Sequence, residues 1–89
     1  SFAPMQFHHA KTSSNPLVVS AFLLASIKRR FAGTPQAILT EKISGIKVST
    51  NSITLTTGSP LINTELKLQK EIITEVFQEA EKFLRQPGL

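Results

Sequence analysis

The residues best suited to hold a partner are cations. Lys28, Arg29 and Arg30 are consecutive, and Lys42 and Lys47 follow. Arginine meets phosphate with a fork of donors and lysine with a point charge, so such a set fits a phosphate backbone. The charge is unevenly placed. Residues 1–58 hold six Lys/Arg against one Glu, and residues 59–89 hold four against five Glu. The first two thirds of the chain is expected to face an acidic partner, nucleic acid being the commonest, with a solvated basic surface as the bland alternative. There is no Tyr or Trp to stack on bases. Binding of this kind is expected to be weak, salt-sensitive and without sequence preference.

Catalytic chemistry has little to work with. The chain has no Asp and no Cys, and its two histidines are the adjacent His8 and His9. Adjacent histidines do not share a helix face, and no acidic or thiol ligand lies near them in sequence, so they read as residues of an N-terminal arm. Nucleophile–base pairs reduce to Ser or Thr with Lys or Glu, and no spacing singles one out. Phosphate-loop, dinucleotide and zinc-protease signatures do not occur. A non-catalytic protein without cofactor or metal is expected.

The elements that must position these cations are legible. Residues 1–14 lack periodicity and contain Pro4, which predicts a flexible arm. Asn15–Pro16 is a cap followed by a proline at the first helical position, opening a helix to about Phe31 that stops at Gly33. Its apolar positions, including Leu17, Val18, Ala21, Phe22, Leu24, Ala25, Ile27 and Phe31, make more than one stripe and predict burial over much of its circumference. Lys28, Arg29 and Arg30 fall in its last turn, where a cation also offsets the helix dipole. Thr34–Pro35 repeats the start signal and predicts a short helix over 35–41.

Two alternating runs, 46–50 and 53–57, predict a hairpin turning at Asn51–Ser52. That register sets Val48 opposite Leu55 and Ile46 opposite Thr57. Its outer face carries Lys47, Ser49, Thr54 and Thr56. Ser59–Pro60 then starts a helix to about Arg85, with Ile62, Leu66, Ile73, Val76, Phe77, Ala80 and Leu84 inward and Leu61, Ile72 and Phe83 widening that face. Glu81 and Arg85 read as an i,i+4 pair on the charged side.

With 40% hydrophobic and 18% charged residues the chain reads as globular. Its length leaves room for one domain, over 15–86. The expected fold is a two-layer α+β domain: helix, short helix, β-hairpin, long helix. No run approaches the ~20 apolar residues of a membrane span. Leu17–Ile27 is followed, not preceded, by basic residues, the reverse of a signal peptide. A cytoplasmic location is expected.

The segment from Ile53 to Ile73 reads ITLTTGSPLINTELKLQKEII. A strand runs into small residues at a helix start, then Glu65-Leu66, then a basic amphipathic helix continued by Leu68, Lys70, Ile72 and Ile73. This resembles the C-terminal half of the DciA-like family of bacterial replicative-helicase loaders, whose domain is similar to the KH fold. Ser59 stands at a family serine position. Ile62 replaces the usual Trp, and Thr64 replaces the Gln before Glu-Leu. No G-x-x-G loop of nucleic-acid-binding KH modules is present. The resemblance spans about residues 46–77. It implies an adaptor that contacts the replicative helicase, with Glu65, Lys67 and Lys70 toward that partner, and that touches single-stranded DNA through Lys28, Arg29, Arg30, Lys42 and Lys47. Two other functions stay open: a KH-like RNA-associated module of the ribosome-maturation type, and a structural domain that forms a homodimer through the hairpin edge or the first helix.

Overall fold

The computed structural model of the chain describes residues 3–10 and 15–86. The alternation Met5-Gln6-Phe7-His8 forms a strand, β1 (Met5–His8), with Met5 and Phe7 buried and Gln6 and His8 exposed. The flexible arm expected over 1–14 is therefore corrected for residues 3–10. Residues 11–14 lie outside the described residues. The strand is held because its two apolar side chains have a core to enter, and its backbone has a partner strand.

Asn15 caps α1 (Pro16–Phe31): its side chain accepts from the Leu17 N–H at 2.8 Å. Val19, Leu23, Ile27 and Phe31 recur every four residues and are all buried. The other flank is open, with Leu17 80% and Val18 56% exposed, so α1 is buried along one face and not around most of its circumference. Gly33 takes φ 78°, the left-handed region that reverses the chain after α1. The short helix is α2 (Ala37–Thr40), tighter than the expected 35–41. The Thr34 hydroxyl donates back to the Phe31 carbonyl at 2.6 Å and does not cap α2.

The hairpin pairs β2 (Ile43–Val48) with β3 (Ser52–Thr57). Val48 faces Ile53 and Ile46 faces Leu55, a register two residues from the expected one. An even shift keeps every side chain on its face, so the alternation alone could not distinguish the two. The reversal runs through Ser49, Thr50 and Asn51, where the Ser49 N–H donates to the Ser52 carbonyl at 2.9 Å. The Asn51 carbonyl accepts from the His9 N–H at 3.1 Å, which ties the turn to the end of β1. The sheet order is β1-β3-β2, antiparallel throughout.

Ser59 caps α3 (Pro60–Lys67), and a break at Leu68–Gln69 separates it from α4 (Lys70–Leu84). One long helix is thus corrected to two. At the break the Gln69 N–H turns to the Leu66 carbonyl, a tighter bond that redirects the axis, and Leu68 is 73% exposed. The bend lets α3 pack on β3 and α2 while α4 lies along α1. The result is a two-layer α+β domain with a three-stranded antiparallel sheet and four helices. Met5, Phe7, Ile46, Ile53 and Leu55 meet Leu23, Ile27, Leu66, Ile73 and Phe77 between the layers. Phe7 and Phe77 meet edge to face at 4.9 Å. Each such fully buried side chain contributes about 1.5–3 kcal/mol. No described helix is long and apolar enough to cross a membrane.

Candidate nucleic-acid interface

Lys28, Arg29 and Arg30 occupy the last turn of α1, and all three are exposed. Successive helical residues are ~100° apart, so the three fan around the helix end and do not form one stripe. Lys28 turns toward the α2–β2 corner, where its ammonium lies 3.9 Å from the Glu41 carboxylate. Both side chains are largely exposed, so this pair contributes little and leaves Lys28 available. Lys42 follows Glu41 directly and is exposed. The loop with Gly33 lies between α1 and α2 beside this corner.

Arg29 and Arg30 turn the other way, onto a groove between α1 and α4 whose far wall carries Glu75 and Glu79. The Arg30 guanidinium also lies 5.9 Å from the centre of the Phe31 ring. Lys47 is apart from all of these. It is exposed on the outer face of β2, opposite Thr54, five residues beyond Lys42 and hence about 16 Å along the strand. Lys28 and Lys42 are thus linked through Glu41, Arg29 and Arg30 face the α1–α4 groove, and Lys47 lies on a separate, polar face with Gln6 and His8.

The three residues expected to meet a protein partner also divide. Glu65 is exposed on α3 beside Leu61, in a shallow hollow completed by Ile38 of α2. Leu61 is 67% and Ile38 66% exposed. Lys67, two residues on, lies on the opposite side of α3 by helical periodicity. Lys70 begins α4 on the β1 side, its ammonium 5.4 Å from the Phe7 ring centre.

One polar constellation lies on residues read differently from sequence. His9 and Glu81 are buried, 7% and 2% exposed, and the His9 Nδ1 donates to the Glu81 carboxylate. The Ala10 N–H donates to the same Oε2 at 3.1 Å. Glu81 is thus corrected from a surface partner of Arg85 to a buried clasp on the end of β1, and His9 from an arm residue to its counterpart. The available signal was the alternation of Met5, Phe7 and His9. Among the described residues no cluster of three or more metal-ligating side chains occurs.

Comparison with protein-family models, with curated proteins and with solved structures finds no match for this chain.

Proposed function

We propose that the chain is a KH-like, non-catalytic adaptor that binds the replicative DNA helicase and, weakly and without sequence preference, single-stranded DNA. The observation that carries the nucleic-acid half is that Lys28, 3.9 Å from Glu41, and Lys42, the residue after Glu41, are both exposed beside the α1–α2 loop, with Arg29 and Arg30 exposed on the same last turn of α1. KH modules clamp a nucleotide backbone with the loop between two helices, and that loop here holds one left-handed glycine, Gly33. One glycine in place of two leaves backbone contact limited and puts most of the affinity on the cations, which read no sequence. An antiparallel sheet carrying helices on one face is compatible with the KH-like reading.

The helicase half of the proposal draws on the hollow at Glu65. Two exposed aliphatic side chains beside a carboxylate suit an apolar segment of a partner flanked by Lys or Arg. Lys67 and Lys70 face elsewhere, so Glu65, Leu61 and Ile38 carry this contact in the proposal. The test is the affinity of the replicative helicase of the source organism for wild-type protein and for the Leu61→Asp and Glu65→Arg variants. A loss of about tenfold or more in both is expected. Equal affinity of all three would remove this surface from the function, and no affinity in any would remove the helicase.

A further inference from the structure

Arg29 and Arg30 line one wall of a groove of about 780 Å³, and Glu75 and Glu79 line the other. Among the described residues, none of these four charges has an ion-pair partner within 4.0 Å. Opposite charges face each other across the groove without closing it. Its floor is apolar: Phe22 of α1 stacks on Phe83 of α4 at 5.5 Å, with Val76 and Ile72 continuing along α4. Phe83 remains 45% exposed, and Val18, one turn before Phe22 on the same side of α1, is 56% exposed. Each helix thus turns one face to the sheet and a second apolar stripe to the outside.

We propose that this groove is where a second copy of the chain docks, the two copies packing face to face about a two-fold axis that runs along it. The helices are antiparallel: Phe22 in the middle of α1 meets Phe83 at the end of α4, and the groove runs on to Arg29 and Arg30 at the end of α1 and to Ile72 and Glu75 near the start of α4. Arg29 and Arg30 therefore lie level with Glu75, and Glu79 lies about one turn nearer Phe83. A two-fold axis parallel to the helices carries α1 of one copy over α4 of the other without changing that level. Each Arg29–Arg30 pair then lies over the partner's acidic wall, and each Phe22 over the partner's Phe83. The same contacts form twice, as an isologous interface requires. An axis across the helices would instead set the arginines over Leu17 and Val18.

The size of the face sets the strength. Two helices of about 16 residues present roughly 24 by 20 Å, near 500 Å² per copy, which is at the lower end of specific interfaces. A reversible dimer is expected, with Kd on the order of 10–100 μM at low salt.

Sedimentation equilibrium over about 5–500 μM protein tests it. Two charge-reversed variants are needed, Arg29→Glu with Arg30→Glu, and Glu75→Lys with Glu79→Lys, each checked for a native circular-dichroism spectrum. Each variant alone is expected to associate at least tenfold more weakly than wild type. Their equimolar mixture is expected to regain the dimer, because one copy then offers two acidic walls and the other two basic ones. A wild type that stays monomeric throughout, variants that associate as well as wild type, or a mixture that stays monomeric would each overturn the proposal. The Glu75–Glu79 variant keeps every cation of the nucleic-acid reading, so the two proposals fail separately.

Discussion

Replacing His9 by Ala removes the side chain that fastens the end of β1 to α4. Its effect can be sized from the contacts. Glu81 is 2% exposed and accepts two donors, the His9 Nδ1 and the Ala10 N–H. The variant leaves a buried carboxylate with one backbone donor. Losing one hydrogen bond to a carboxylate costs about 1.5–3 kcal/mol, and leaving a buried acceptor short of a partner costs about 1–3 kcal/mol. With the Ala10 N–H retained, a loss of about 2–4 kcal/mol follows from these ranges. A chain of this length has a total stability of only about 4–13 kcal/mol, so the variant forfeits a large share of it. In urea, with a slope near 1 kcal/mol/M, the midpoint falls by about 2–4 M. The double variant His9→Ala, Glu81→Leu is expected to be less destabilised than His9→Ala alone, because no carboxyl group short of hydrogen-bond partners remains inside. A His9→Ala midpoint within about 0.5 M of wild type, or a double variant worse than the single, would refute the buried clasp and with it the placement of β1.

Two further stability changes check the fold. Leu23→Ala, at a side chain with no exposure in the middle of α1, is expected to cost about 2–5 kcal/mol by urea denaturation. Gly33→Ala meets no atom within 4 Å of the added Cβ, so only the left-handed backbone resists it, and a loss of about 1–2 kcal/mol is expected.

Local signals were legible where one residue type decides. The caps Asn15 and Ser59, each followed by proline, marked the starts of α1 and α3, and both side chains accept the expected helical N–H. What escaped was set by distant partners. β1 is four residues long, too short to assert itself until β3 offers an edge and α4 offers Glu81. The hairpin register shifted by two because pattern parity is unchanged by an even slip, and the Asn51 carbonyl is taken by β1. The break at Leu68–Gln69 has no glycine or proline to announce it; it comes from α3 and α4 packing on different neighbours. The candidate site divides the same way. The helix end that carries Lys28, Arg29 and Arg30 could be read from sequence, but which of them reaches Glu41 and which lines a groove with Glu75 and Glu79 depends on the packing of α1 against its neighbours.

The measurement closest to the central proposal is fluorescence anisotropy of labelled single-stranded DNA at about 50 and 200 mM salt, with wild type and with the Lys28→Ala, Arg29→Ala, Arg30→Ala variant. Three or four phosphate contacts from Lys28, Arg29, Arg30 and Lys42 correspond to a salt slope of about −2 to −3, a weakening of roughly 20- to 50-fold between the two conditions. The variant is expected to lose most of the binding at both, and an RNA competitor of equal length to be no better than DNA. Absence of binding at 50 mM salt, or binding that the variant retains, would contradict the proposal, and a strong preference for RNA would replace the helicase adaptor with an RNA-associated module.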